Sequence, residues 1–302
     1  MLSYPQAIVI GLLQGVTELF PVSSLGHSVL VPAWLGWHDL VGQQSAAESP
    51  YLAFLVGLHV ATALALLVFF RAEWVRIVAG LWRSVRRRGI ETTDERLGWL
   101  LVVATIPAGV VGLVFEHDLR VLFAKPLAAA AFLTLNGLLL LGGEALRRRV
   151  ERRELVAQAA RPARAGRPAS AATEVVRLGR LPVGDAVLIG SAQILAFFAG
   201  ISRSGATMVA GLARGLGAED AARFSFLLAT PIILAAGVYK LPDLLGPNGD
   251  GVRGQVLVGS LVAGVAAYFA ARFLTRWFTT RTLTPFAVYC LAAGLACLVR
   301  FA

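Results

Sequence analysis

Charge is scarce in this chain. Asp, Glu, Lys and Arg together make up 15% of its 302 residues, against roughly 25% in soluble domains. Cysteine is nearly absent. The only two, Cys290 and Cys297, exclude a disulfide-framed secreted domain and read as free thiols packed like small hydrophobes. No Lys or Arg precedes Arg71, so the apolar N-terminus lacks the charged start of a secretory signal and is expected to stay in the mature protein. Apolar side chains are in excess at 57%, and mean hydropathy is +0.71. That excess excludes disordered, collagen-like and water-soluble classes and implies an all-α integral membrane protein. A net charge of +10 would otherwise suggest nucleic acid. The basic residues cluster between long apolar runs, however, which is the signature of membrane topology, so no nucleic-acid partner is expected.

A spanning helix needs about 20 mostly apolar residues. Six stretches qualify: approximately 50 to 70, 98 to 115, 127 to 143, 224 to 241, 255 to 271 and 285 to 299. Two more apolar regions, 5 to 36 and 184 to 217, are interrupted by Pro21-Val-Ser23-Ser24-Leu-Gly26-His27 and by Gly200-Ile-Ser202-Arg203-Ser204-Gly205. Each is expected to form a re-entrant helical hairpin. Irregular backbone at membrane depth survives only where protein buries it or a wet cavity faces it, so these two breaks are the expected location of a site.

Arginine sets the orientation. The loop from 71 to 97 holds seven Arg against four acids, that from 144 to 183 ten Arg against four acids, and Arg272, Arg276 and Arg281 follow the fifth span. These are expected to be cytoplasmic, and the Arg-poor loops 37 to 49, 116 to 126 and 242 to 253 to lie outside. The two hairpins must then enter from opposite faces, with both termini outside. Residues 1–143 and 184–302 thus form two inverted repeats, each a hairpin followed by three spans, joined by a cytoplasmic Arg/Ala-rich linker at 144–183 that is too poor in apolar residues to pack. A faint repeat agrees, with Gln14, Ser23 and Gly26 aligning without gaps on Gln193, Ser202 and Gly205.

Ionisable groups at bilayer depth are costly and therefore functional suspects. Glu18 and His27 lie in the first break, Arg203 in the second. Gln14 and Glu18, four apart, share a helix face, and their oxygens suit a hard cation such as Mg²⁺ or Ca²⁺. Ser23, Ser24, Gly26 and His27 open a helix whose N-terminus suits a phosphate, as do Ser202, Ser204, Gly205 and Thr207 around Arg203. Arginine is the side chain best shaped to clamp phosphate oxygens. A nucleophile, a proton-transfer group, an anion clamp and a cation ligand together make equipment for phosphoryl transfer. His59 has no polar companion in its own span and is read as a core histidine outside the site.

At these residues the chain resembles a family. Gln14-Gly-Val-Thr-Glu18-Leu-Phe-Pro21-Val-Ser23-Ser24-Leu-Gly26-His27 is similar to the first signature of bacterial undecaprenyl-diphosphate phosphatases, the family tied to bacitracin resistance. Gly200-Ile-Ser202-Arg203-Ser204-Gly205-Ala-Thr207 resembles its second signature, and Ala222-Arg-Phe-Ser-Phe-Leu-Leu-Ala-Thr-Pro231 the span that follows. The resemblance covers nearly the full length. It implies hydrolysis of the terminal phosphate of a polyprenyl diphosphate lipid in the bacterial cell membrane, which recycles the carrier for wall synthesis. It further implies a divalent cation, a site opening to the outer face and a homodimer. Carried over, Glu18 is a metal ligand or acid/base group with Gln14 as its partner, Ser24 or His27 the nucleophile, and Arg203 the diphosphate clamp flanked by Ser202 and Ser204. The chain departs from the common pattern at Gln14 (often Glu), Leu25 (often Thr) and Ala199 (usually Pro), none of which touches Glu18, His27 or Arg203.

The competing reading is a polyprenyl-phosphate flippase, since broken helices meeting at mid-membrane also serve alternating access. Transport requires no nucleophile beside the clamp. The other large class of membrane lipid phosphatases needs a histidine six residues after its late Ser-Arg, where this chain has Val209.

Overall fold

A computed structural model describes residues 2–37, 39–40, 50–123, 125–159, 178–246 and 251–302. Among these there are eleven α-helices and one 3₁₀ helix, with no strand. In chain order they are α1 (Tyr4–Thr17), α2 (Ser24–Trp34), α3 (Pro50–Phe69), α4 (Arg71–Arg87), α5 (Thr93–Phe123), α6 (Pro126–Ala159), α7 (Val183–Ser191), the 3₁₀ helix Ala192–Phe197, α8 (Arg203–Ala213), α9 (Ala218–Leu245), α10 (Arg253–Trp277) and α11 (Thr284–Phe301). Six of them are long and apolar enough to cross a membrane: α3, α5, α6, α9, α10 and α11. These are the six expected stretches, and the chain is a multi-pass helical membrane protein.

Several stretches expected to be loop are helical: α5 runs on to Phe123 and α9 to Leu245, inside the loops expected at 116 to 126 and 242 to 253, and α4 and α6 cover two more. α4 occupies most of the Arg-rich segment after the first span. It is amphipathic, burying Ile77, Gly80 and Ser84 while Val75, Trp82 and Val85 stay exposed beside its arginines, the composition of a helix lying along a membrane interface. α6 runs on past its apolar part to Ala159, because Glu144 and the arginines that follow pair at helical spacing: Glu144 binds Arg147 at 2.8 Å and Arg148 at 3.1 Å. The centre of the expected linker, 160–177, lies outside the described residues.

In lipid, apolar surface supplies little drive for helix association, so close van der Waals fit does the work and small residues collect at the contacts. α1 packs on α10 where Gly11 meets Gly259, and a methyl group added at Gly11 would sit 2.5 Å from the Gly259 carbonyl oxygen. α7 packs on α5 in the same way, through Gly190 against Ala104. α3 lies on α9 and α6 on α11. Glu144 also accepts the Leu283 N–H at 3.1 Å, so the end of the α6 span caps the entrance to α11. α1 and α2 pack on each other, as do α7 and α8, and the breaks between their helices meet, with the Gly200 N–H donating to Ser23 Oγ.

Candidate active site

Each break ends a helix and starts another with the same device. In the first, α1 stops at Thr17, Pro21 offers no N–H to continue it, and Ser23 caps α2 by accepting the Gly26 N–H at 3.2 Å. In the second, the 3₁₀ turn runs into Gly200, whose φ of +117° only glycine adopts readily, and Ser202 caps α8 by accepting the Gly205 N–H at 3.1 Å. The caps also join the breaks. Ser23 Oγ accepts a second hydrogen bond from the Gly200 N–H at 3.1 Å. Gly26 approaches Gly200 so closely that a Cβ on it would lie 2.8 Å from the Gly200 Cα. Ser204 Oγ donates to the Phe20 carbonyl at 3.3 Å, and Ser202 Oγ reaches the same oxygen at 3.5 Å. Buried Asn136 on α6 completes the join: its Nδ2 donates to the Pro21 carbonyl at 2.9 Å and its Oδ1 accepts the Ser202 N–H at 3.0 Å.

The reactive groups meet at this junction, in a cavity of about 310 Å³. Glu18 Oε1 accepts from Arg203 Nη2 at 3.0 Å. Its Oε2 accepts from Ser24 Oγ at 2.5 Å and from Gln14 Nε2 at 3.0 Å, with His59 Nε2 at 3.4 Å. His59 Nδ1 is bonded to its own helix at the Leu55 carbonyl, 2.8 Å away, which turns Nε2 toward the carboxylate. Arg203 spends one nitrogen on Glu18; its Nη1 is buried without a partner among the described residues. A buried carboxylate is tolerated here because a guanidinium neutralises it and each of its oxygens accepts a hydrogen bond. A hydroxyl donating to a carboxylate beside a partly unpaired guanidinium can attack an electron-poor centre whose oxygens the guanidinium holds. Away from these groups the cavity wall is apolar, with Val56, Phe197 and Ile232, except where Gln193 and Lys240 reach it.

Glu18, Ser23, Ser24, Ser202 and Arg203 all line the cavity. The Ser23 and Ser202 hydroxyls are nevertheless committed to the join, and Gly26 and Gly205 serve it by being small: a Cβ on Gly205 would crowd Leu140 and Pro21. Ser204 and Thr207 face the packed interior, where Thr207 Oγ1 pairs with Ser225 Oγ at 2.6 Å. His27 lies outside the lining too, its Nδ1 bonded to the Ser23 carbonyl at 2.6 Å and its Nε2 to Tyr289 Oη at 2.7 Å. Gln14 turns its amide nitrogen to Glu18.

His59, read from sequence as a core residue, stands at the site, because its polar companion comes from another helix. Asn136 was likewise missed; a lone amide in an apolar span was its only signal.

Fold and site define a multi-pass helical membrane protein with a serine, a carboxylate and a guanidinium gathered at one buried point. The family model of bacitracin resistance protein BacA matches residues 7–296, and the chain belongs to that family. It is 61% identical over 304 residues to a protein of Mycolicibacterium paratuberculosis named undecaprenyl-diphosphatase, covering 100% of this chain and 98% of that one. It is 55% identical to undecaprenyl-diphosphatase 2 of Frankia alni, with 100% and 98% covered, and 42% identical to undecaprenyl-diphosphatase 2 of Chromobacterium violaceum, with 96% of each covered.

Proposed function

We propose that this protein hydrolyses undecaprenyl diphosphate to undecaprenyl phosphate and inorganic phosphate, with Ser24 as nucleophile. The observation that carries the chemistry is the Ser24 Oγ–Glu18 Oε2 hydrogen bond of 2.5 Å beside the Arg203 ion pair; the substrate follows from the relatives. Ser24 Oγ attacks the terminal phosphorus and passes its proton to Glu18. The anhydride P–O bond breaks, and Glu18 returns that proton to the departing lipid phosphate. Water then attacks the Ser24 phosphoester, Glu18 takes its proton and gives it to Ser24 as inorganic phosphate leaves. Arg203 holds non-bridging oxygens throughout, helped by the N-terminal turns of α2 and α8, each capped by its serine. His59 Nε2 stands beside the same carboxylate oxygen at 3.4 Å. His27, with both ring nitrogens bonded, acts as a positioning residue that fixes the Ser23 turn. Ser23, Gly26, Ser202, Ser204, Gly205 and Thr207 build the anion site and hold the two breaks together.

The reading includes a divalent cation. The oxygens of Glu18 and Ser24 that face the cavity fit a hard ion, although there is no group of three or more His, Cys, Asp or Glu able to hold a metal among the described residues. The ion would therefore rest on Glu18, with Gln14 orienting the carboxylate, and depend on substrate oxygens for the rest of its shell. When bound it supplies charge neutralisation on the diphosphate.

In this reading α1–α2 and α7–α8 are re-entrant pairs inserted from opposite faces. Residues 1–143 and 184–302 are inverted repeats joined by a cytoplasmic linker at 144–183, the termini and cavity mouth face outward, and the protein is a homodimer in the bacterial cell membrane. Exchange of the two halves supports the repeats: it turns the α1–α10 contact into the α7–α5 contact and leaves the α3–α9 and α6–α11 pairs unchanged. A flippase would have no use for a hydroxyl bonded to a carboxylate. Phosphate release from a long-chain isoprenyl diphosphate by purified protein tests the function, and its absence would refute it. For topology, Arg152→Cys should resist an impermeant thiol reagent in intact cells.

A further inference from the structure

Gln193 is buried to 3% exposure and lines the same cavity as Glu18, Ser24 and Arg203. Neither its Nε2 nor its Oε1 has a hydrogen-bond partner among the described residues. Burying an amide with both ends unpaired is costly, and such groups persist where something else satisfies them. Gln14, its counterpart in the sequence repeat, has a partner in Glu18 at 3.0 Å. The unpaired state is therefore particular to the second half of the molecule. The 3₁₀ turn Ala192–Phe197 holds Gln193 ahead of the second break.

The two ends of the amide need different partners. A diphosphate ester offers oxygen acceptors alone. Those can satisfy Gln193 Nε2 and the other orphan donor of the cavity, Arg203 Nη1, but they leave Gln193 Oε1 unmatched. Oε1 needs a hydrogen-bond donor, and the donor that hydrolysis brings to the site is water. We propose that Gln193 positions the hydrolytic water, accepting one of its hydrogens at Oε1 while Nε2 donates to a phosphoryl oxygen. The inference rests on the Ser24 phosphoenzyme proposed above and concerns its second step. Water oxygen bonds to phosphorus, the Ser24 Oγ–P bond breaks, and the water proton passes by way of Glu18 to Ser24 Oγ. Gln193 exchanges no proton; it fixes the angle of attack, as glutamines do for the attacking water in GTPases.

The test compares wild-type and Gln193→Met protein in detergent, on a long-chain isoprenyl diphosphate labelled with ³²P in its terminal phosphate. Methionine keeps the length and removes both polar atoms. Turnover should fall about 100-fold, the loss typical of a misplaced reactant. KM should fall with it, one lipid monophosphate per chain should appear in a burst, and label should remain on the protein. The melting temperature should stay level or rise, because two unpaired polar atoms leave the interior. Unchanged turnover overturns the inference, as does slow turnover with neither burst nor label. A lowered melting temperature without label would make Gln193 structural and overturn it too. Wild-type protein that releases no phosphate refutes the functional reading itself, whatever the variant does.

Discussion

The two breaks share a backbone device and divide the proposed chemistry between them. In both, a serine caps a helix by accepting the N–H of a glycine three residues on, Ser23 from Gly26 and Ser202 from Gly205. Yet Ser23 sits at φ +70°, a conformation side-chain-bearing residues rarely hold, whereas Ser202 is relaxed at −83°. Ser23 is kept there by what it ties down: its hydroxyl accepts from both breaks and its carbonyl holds His27. The strain lies on the side that carries the proposed nucleophile, as is common at reactive positions. The first break supplies Ser24 and the carboxylate, the second supplies the guanidinium. In the proposed reaction neither half would suffice alone.

Perturbing each side in turn tests that division, and the largest effect belongs to the first break. Ser24→Ala should lower kcat on the order of 10³-fold or more with KM little changed; substantial residual turnover would move the nucleophile elsewhere. Glu18→Gln keeps the shape and removes the base, and should lower kcat by roughly 10² to 10⁴-fold. EDTA should likewise suppress phosphate release, with Mg²⁺ or Ca²⁺ restoring it; undiminished activity would strike the cation from the reading. On the second side, Arg203→Lys should act mainly on KM, raising it roughly 10-fold, because one ammonium cannot pair with Glu18 and hold a phosphate together. Steady-state kinetics in detergent separate these cases, and a pure kcat defect in Arg203→Lys would break the proposed division. Asn136→Leu cuts the tie between the sides. It leaves the Ser202 N–H unpaired and the Pro21 carbonyl with only the weak Cys290 thiol donor at 3.9 Å, and should cost about 1–3 kcal/mol, read from unfolding in micelles. The smallest change should be Ser23→Gly, where relief of the backbone offsets lost hydrogen bonds to within about 1 kcal/mol.

Much of the site was legible in residue order, but unevenly. Glu18, Ser24 and Arg203 stand out as polar groups where lipid would exclude them, and they meet as expected. His59 obeys the same rule but has no charged neighbour within its own helix; its neighbour is Glu18, 41 residues earlier in the chain. His27 shows the reverse. A histidine beside two serines suggests proton transfer, but its ring is taken by Tyr289, 262 residues away.

Residue order by itself determined the membrane class, the six long apolar helices and the two breaks, because apolar run length, proline and glycine act over a few residues and need no partner. Which polar side chains face the cavity was decided by tertiary structure alone. The Glu18–Arg203 pair closes across 185 residues, and Asn136 fastens both breaks from a third helix. A side chain's direction in a packed bundle depends on what the neighbouring helices leave open, and no local pattern records that.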